Sequence, residues 1–159
     1  MDPKAKQKVL RAFSNGMYVI TSCSNERVGA ATVTWLSQVS FKPALIMAAI
    51  RPESNVFACL SESRVAAIHV LDYRQQGIAR KFLSTTISSD GMINGEPFMP
   101  GKTSAPILQN SAAHVECSVQ HVFDIQGDHA IVILEVVEAK YSQEVQPLLT
   151  AKSPWHYGG

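Results

Sequence analysis

Residues 30–54 read AATVTWLSQVSFKPALIMAAIRPES, and this run carries most of the information about the fold. Its β-branched and aromatic residues are typical of strands, and Pro43 interrupts them because proline cannot donate to a central ladder. We therefore expect one strand over Val28–Ser37 and another over Ala44–Ile50. Polar side chains recur within the run at Thr32, Thr34, Ser37, Gln38 and Ser40. So many hydroxyl and amide groups beside apolar residues are unusual for a strand that serves only a core.

The rest of the chain shows the same β character with a few helical interludes. Alternating or continuous apolar residues predict further strands over Met17–Cys23, Val65–Leu71, Val115–Ile125 and Ala130–Val137. Gly127-Asp128 joins the last two in a hairpin. Helical spacing predicts short helices over Lys4–Phe13, Ser54–Leu60 and Arg74–Phe82. Residues 84–111 have little periodicity and are expected to form a long loop, either functional or poorly ordered.

These elements predict a mainly β protein. Helices are too few for a doubly wound α/β fold, so about six mostly antiparallel strands closing into a small barrel, with two or three short helices, fit better. The 159 residues suit one domain over 1–159. The segment 151–159 is an aromatic C-terminal tail, and we expect Trp155 and Tyr157 to dock on the body or on a partner subunit. A lid over a ligand is the alternative.

Composition limits the classes of partner. The net charge is only +1, which argues against nucleic acid and against a membrane surface. The longest apolar run, Ala44–Ile50, is far too short to span a bilayer. The N-terminus lacks the apolar core of a signal peptide, so a cytoplasmic location is expected.

Several common kinds of site are missing from the sequence. It contains neither of the two usual glycine-rich phosphate loops and no G-x-S-x-G motif. The five histidines lack H-x-x-x-H spacing, and Cys23, Cys59 and Cys117 form no C-x-x-C pair. We therefore expect no metal site, and we expect the cysteines to be plain buried thiols.

The remaining candidate site lies in the opening run. Thr32 and Thr34 project from the same face of a strand. Arg51 stands just before a helix that Ser54 or Asn55 can cap, and a guanidinium beside free N–H groups attracts an anion. Together they predict a site for a planar heteroaromatic ring with a phosphate tail. The alternative is that the threonines are ordinary strand residues and the arginine is solvated.

Four stretches resemble the flavin reductase-like family, the FMN-binding split barrels. They are AFSNGMYVIT at 12–21, ATVTWLSQVSFKP at 31–43, QGIARKF at 76–82 and GDH at 127–129. The second is similar to the family pattern T-x-N-S-x-x-S-V-S-x-x-P-P, and the third to Q-x-x-x-A-x-x-F. The stretches follow the family's order and span most of the chain. The resemblance therefore implies a split β-barrel.

The resemblance also implies which residues meet the cofactor. The flavin ring or ribityl chain should face Thr32, Val33, Thr34, Ser37, Gln38, Val39 and Ser40. The phosphate should lie near Arg51, Ser54 and Asn55. Weaker candidates for the phosphate end are Arg80, Lys81 and Phe82, with core packing as the alternative for Phe82.

The resemblance further implies chemistry and partners. His129 would lie near the flavin and the nicotinamide as the catalytic residue, although it could simply end a hairpin. FMN is the implied cofactor, with FAD left open, and NAD(P)H is the implied co-substrate that gives hydride to the flavin. A homodimer with the site near its interface is implied, with electrons passing to free flavin, a partner protein or another acceptor. An FMN-binding electron carrier without fast reductase activity and a barrel that binds no flavin remain alternatives.

The sequence departs from the family pattern at two places. Thr34-Trp35 stands where the pattern has Asn-Ser, and Ala44 replaces the second proline. Trp35 could pack beside the flavin or seal the barrel.

Overall fold

The protein is described by a computed structural model covering residues 1–25, 27–142 and 144–155. Its helices are α1 Pro3–Arg11, α2 Asn55–Ser63 and α3 Gln76–Lys81, with 3-10 turns at Tyr73–Gln75 and Thr150–Lys152. The first strands are β1 Tyr18–Ser24, β2 Arg27–Val33, β3 Leu36–Ser40, β4 Leu45–Ile50 and β5 Val65–Val70. The later strands are β6 Ser88–Ser89, β7 Met92–Ile93, β8 Glu96–Pro100, β9 Pro106–Leu108, β10 Ala113–Asp124 and β11 Ala130–Tyr141.

Seven of these strands form one antiparallel sheet in the order β2-β1-β5-β10-β11-β4-β3. Its two edge strands, β2 and β3, are separated in the chain by only Thr34 and Trp35, so the sheet must curve until its edges approach at that point. No ladder joins β2 to β3 in the described ranges. The mainly β, antiparallel prediction is confirmed, with three short helices, but the sheet does not close into a barrel through hydrogen bonds. We call the gap between β2 and β3 the seam.

The predicted strand Val28–Ser37 is wrong in detail, because the chain breaks it at the seam. Residues 27–33 pair with β1, whereas residues 36–40 pair with β4. The Trp35 carbonyl accepts a hydrogen bond from Ala49 N–H at 2.9 Å, which carries the chain from one edge to the other. One strand cannot belong to both edges of a curved sheet, so the link between them is irregular.

The expected long loop over 84–111 is also wrong. Strands β6 to β9 form a second, four-stranded antiparallel sheet there. Asp90-Gly91 and Asn94-Gly95 make its tight turns, with φ between 49° and 76° at all four residues. Asp-Gly and Asn-Gly turns are the strongest short hairpin signals, so the sequence held this information. The strands are too short to show a period of two.

Two buried clusters hold these layers together. The larger lies between the sheet and α2 and includes Ile20, Ile68, Leu134, Val56 and Leu60. Each such side chain contributes about 1.5–3 kcal/mol on burial. The smaller lies beneath α3 and the second sheet and includes Phe82, with Trp155 packed against it. The clusters fix β2 between α2 and α3, which is what shapes the candidate site.

The ends of the described chain add two observations. Trp155 packs on the body, whereas the predicted docking of Tyr157 falls on His156–Gly159, outside the described residues. None of the helices in the described ranges is long and apolar enough to cross a membrane. Cys59 and Cys117 are buried and free, as expected, but Cys23 is only half-buried.

Candidate flavin site

A cavity of about 410 Å³ runs along β2. Its lining is drawn from four segments of the chain and from one hairpin residue: residues 30–35, 49–51, 53–55 and 82–86, and His129. The cavity therefore has two ends with different linings. One end lies at the seam with Trp35 and His129, and the other lies at the start of α2 and the segment after α3.

The seam end is aromatic. The Trp35 and His129 rings lie with centroids 4.7 Å apart and planes tilted by 58°. His129 is only 6% exposed, and its Nδ1 lies 2.7 Å from the Asp128 carboxylate. That hydrogen bond, with smaller help from the charge of Arg51, lowers the pKa of Asp128. A charged Asp128 holds the imidazole in one orientation at the cavity wall.

Thr34 carries the most informative atom at this end. The residue is only 4% exposed, yet its Oγ has no hydrogen-bond partner among the described residues. Buried hydroxyls nearly always have a partner, and an unpaired one costs about 1–3 kcal/mol. Thr34 is also among the residues that line the cavity.

The far end is polar and partly cationic. Ser54 caps α2, accepting from Phe57 N–H at 3.2 Å and donating to the Arg51 carbonyl at 2.7 Å. Asn55 opens the helix, where backbone N–H groups point outward without intrahelical partners. Arg51 is more than half exposed and lies 3.8 Å from Glu53, which also lines the cavity. A loose surface pair of this kind leaves the guanidinium able to meet an anion.

The side wall comes from the segment that follows α3. Thr32 N–H donates to the Phe82 carbonyl at 2.9 Å, and the Thr32 hydroxyl donates to the Ala79 carbonyl at 2.7 Å. Thr86 Oγ accepts from Ala30 N–H and donates to the Ala30 carbonyl, both at 3.0 Å. These bonds occupy the outer edge of β2 and hold Leu83, Ser84 and Thr85 against the cavity.

Eight of the fourteen predicted site residues line this one cavity. They are Thr32, Val33, Thr34, Arg51, Ser54, Asn55, Phe82 and His129. Phe82 is also fully packed in the smaller core, so both of its predicted roles describe the same side chain. Residues separated by almost a hundred positions in sequence thus meet around one volume.

Six predicted residues lie elsewhere. Ser37, Gln38 and Val39 are exposed and Ser40 half-buried on β3, beyond the seam, where Gln38 Nε2 donates to the Ser40 carbonyl at 3.1 Å. Lys81 Nζ pairs with Glu96 at 2.6 Å on the second sheet, and Arg80 is exposed. Within this single chain they do not line the cavity.

Two parts of the cavity lining were not predicted from the sequence. Ser84, Thr85 and Thr86 form a hydroxyl run directly after a buried aromatic residue, which was a usable signal. No sequence signal marked Glu53 or Ala49 as cavity residues, because their positions beside the cavity depend on the curvature of the sheet. No group of three or more histidines, cysteines and carboxylates in the described ranges is placed to hold a metal.

Comparisons with known proteins agree with this geometry. The chain is 28% identical over 150 residues to the flavin-dependent monooxygenase reductase subunit HsaB of Rhodococcus jostii, covering 94% of this chain and 74% of that protein. It is 28% identical to a diflavin flavoprotein of Nostoc, over 79% of this chain but only 22% of that protein, so it spans under a quarter of that relative's length.

A solved structure shows the same fold. The NADH:FAD oxidoreductase SgcE6 of Streptomyces globisporus superposes with a TM-score of 0.81 at 23% identity, covering 100% of this chain and 96% of that one. Residues 10–157 match the family described as flavin reductase like domain, which confirms the resemblance read from the four motifs. The chain belongs to the flavin reductase-like domain family.

Proposed function

We propose that this protein is an NAD(P)H-dependent flavin reductase that binds FMN in the cavity along β2. The observation that carries the proposal is Thr34, a residue that lines the cavity and whose buried hydroxyl has no partner among the described residues. A flavin ring is planar and bears hydrogen-bonding groups at its edge. It would supply Thr34 with a partner and bury its faces against apolar and aromatic residues.

The two ends of the cavity suit the two ends of FMN. The ring belongs at the seam, beside Thr34, Trp35 and His129. The phosphate belongs near Arg51, the first amides of α2 and the hydroxyls of Ser84 and Thr85, since a helix start and a guanidinium both favour an anion. FAD is the alternative flavin, and its second phosphate and adenosine would have to leave the cavity.

His129 is the proposed catalytic residue at the ring end. The bound flavin supplies the hydride-accepting chemistry, and the protein's task is to position and shield it. The Asp128 carboxylate fixes His129 so that one ring edge is held at the cavity wall. There it would contact the flavin or the incoming nicotinamide. Because the sequence lacks a Rossmann fingerprint, we expect the dinucleotide to bind weakly, folded against the ring.

The assembly around this site is also part of the proposal. The chain would act as one domain within a homodimer, and the exposed residues of β3, including Val39 and the nearby Phe41, would meet the partner subunit close to the cavity. Reduced flavin or its electrons would go to a separate acceptor. The match to a monooxygenase reductase subunit supports an acceptor protein.

An anaerobic titration tests the reductase. The FMN-loaded protein is mixed with NADH, and separately with NADPH, while the flavin absorbance band is followed. Rapid bleaching by either nucleotide is the expected result. A protein that binds FMN but stays yellow with both would overturn the reductase and favour an electron carrier. Titrating FMN and FAD in parallel decides which flavin the cavity prefers.

A further inference from the structure

We infer that Trp35 determines how tightly the flavin is held, by forming the flat aromatic wall of the ring end of the cavity. The inference rests on the proposed function. It makes the flavin a group retained through successive turnovers rather than a substrate that diffuses in and out. It also chooses between the two roles that the sequence leaves open for this residue.

Trp35 is held in place by its backbone. Its carbonyl accepts from Ala49 N–H at 2.9 Å, so the residue is tied to β4 although it follows the last residues of β2. It therefore bridges the two edges of the sheet at the seam. The backbone of Trp35 is therefore fixed at the point where the two edges of the sheet meet.

The indole belongs to the cavity wall. Trp35 lines the cavity and is half-buried. Its tilted contact with His129, at 4.7 Å, places two aromatic rings on one stretch of wall.

Two neighbours make this wall suited to a planar ligand. Thr34, the preceding residue, lines the same cavity, and its hydroxyl has no partner among the described residues. A ring system with polar edge atoms can bond that hydroxyl while it contacts the indole. Aromatic contacts of this kind add about 0.5–1.5 kcal/mol beyond burial, which is roughly two- to twelvefold in affinity. Serine, the residue type that the family pattern has here, offers no such surface.

The test uses tryptophan fluorescence together with direct binding, so that it does not depend on activity. The chain has two tryptophans, and Trp155 packs against the smaller core and is not among the described residues that line the flavin cavity. Trp155→Phe leaves Trp35 as the single reporter, whereas Trp35→Phe leaves Trp155. FMN is titrated into wild type, both phenylalanine variants and Trp35→Ser, and retention is measured by gel filtration.

The expected result has three parts. FMN quenches most of the emission of Trp155→Phe but far less of that of Trp35→Phe. The Kd for FMN rises about tenfold in Trp35→Ser and less than threefold in Trp35→Phe, since phenylalanine keeps an aromatic face. Wild type carries FMN through gel filtration, and Trp35→Ser loses it.

Other outcomes would overturn the inference. If Trp35→Ser is folded by circular dichroism and binds FMN with the wild-type Kd, Trp35 does not set retention. Unquenched emission of Trp155→Phe at saturating FMN would show that the indole does not contact the ligand. Should wild type bind neither FMN nor FAD, the proposed function fails and this inference fails with it. Normal wild-type binding with no effect of Trp35 overturns the inference alone.

Discussion

Buried polar groups away from the cavity differ in their hydrogen bonding from a buried polar group beside it. On β5 and β10, away from the cavity, His69 and Glu116 have partners for their polar atoms. On the cavity side, the Thr34 hydroxyl has none among the described residues. Because a fold gains nothing from an unpaired buried hydroxyl, the difference separates polar groups that stabilise the protein from one that we propose for ligand binding.

The paired side is specific in its contacts. His69 Nδ1 donates to the Val19 carbonyl and Nε2 accepts from Leu108 N–H, both at 3.0 Å. The Glu116 carboxylate accepts from the backbone of Lys102 at 3.1 Å and from both the amide and the hydroxyl of Thr103 at 2.7 Å. These bonds fasten β9 and the preceding loop to the large sheet.

The largest expected effect concerns His69 and pH. Burial is the main cause that lowers its pKa from 6.5 to about 4. An unfolded chain takes up the proton as pH falls below 6.5, whereas the folded protein does so only near 4. Neutral His69 therefore makes its full contribution to the free energy of unfolding above pH 6.5. That contribution is lost on acidification, by about 3 kcal/mol in total. Urea unfolding between pH 7 and 5 measures most of this loss.

Two features sharpen the His69 prediction. His114, whose ring lies 6.0 Å away, also has a lowered pKa through burial and adds to the slope in the same direction. His69→Gln removes the titrating ring, so its unfolding free energy should be lower at pH 7 but much flatter with pH. A slope as steep as that of wild type would show that His69 is not the group responsible.

The next effect concerns Glu116. Burial acts to raise its pKa, but the bonds from Thr103 and Lys102 outweigh it and lower the pKa. Glu116→Gln should reduce the free energy of unfolding by about 2–3 kcal/mol, because charge-assisted bonds are lost and N–H groups face an amide. Glu138, its cross-strand neighbour, pairs with Lys102 near the surface. Glu138→Gln is the matched control and should cost under about 1 kcal/mol.

On the cavity side, Gly29 controls how closely α2 approaches β2. A Cβ at Gly29 would lie 2.5 Å from the Val56 backbone, so Gly29→Ala must push the start of α2 away. We expect a loss of about 1–3 kcal/mol in stability and weaker flavin binding. Gly77, on α3, has open space around its Cβ position. Gly77→Ala should leave binding unchanged, and similar losses in both variants would contradict the packing argument.

The smallest expected change in the free energy of unfolding has a different sign at two buried threonines. Thr21 and Thr34 are both buried strand-region threonines, but the Thr21 hydroxyl donates to the Pro106 carbonyl at 2.5 Å. Thr21→Val should lower the unfolding free energy by about 1 kcal/mol. Thr34→Val removes an unpaired hydroxyl and should leave the ligand-free protein as stable or slightly more stable. Calorimetric unfolding of the two variants measures the contrast.

The elements and site residues could be predicted from the sequence only where the signal lies within a short stretch of the chain or a family motif. Period-two and helical patterns identified most elements, and six of the eighteen residues in the cavity lining were predicted within the run from Thr32 to Asn55. Motif resemblance then added His129 and Phe82, which lie far away in the chain. The break at Trp35 was not predictable, because a strand-like pattern continues through it and only the curvature of the sheet divides it. The second sheet was missed although Asp90-Gly91 and Asn94-Gly95 marked its turns.

The predicted contacts on β3 show a different limit. Ser37 to Ser40 follow the seam by only two residues, and a sequence motif cannot show that the chain there has moved to the other edge of the sheet. These residues are exposed or half-buried and do not line the cavity of this chain. Whether they contact a flavin depends on the proposed partner subunit. A local sequence pattern carries no information about how subunits assemble.

The central claim is that the cavity along β2 is a flavin site whose ring end is marked by Thr34. The most direct test is an FMN titration by calorimetry of wild type, Thr34→Val and Thr21→Val. We expect wild type and Thr21→Val to bind FMN alike, whereas Thr34→Val should bind it about two- to tenfold more weakly while remaining fully folded. Equal affinity in wild type and Thr34→Val, or no binding of FMN by wild type, would contradict it.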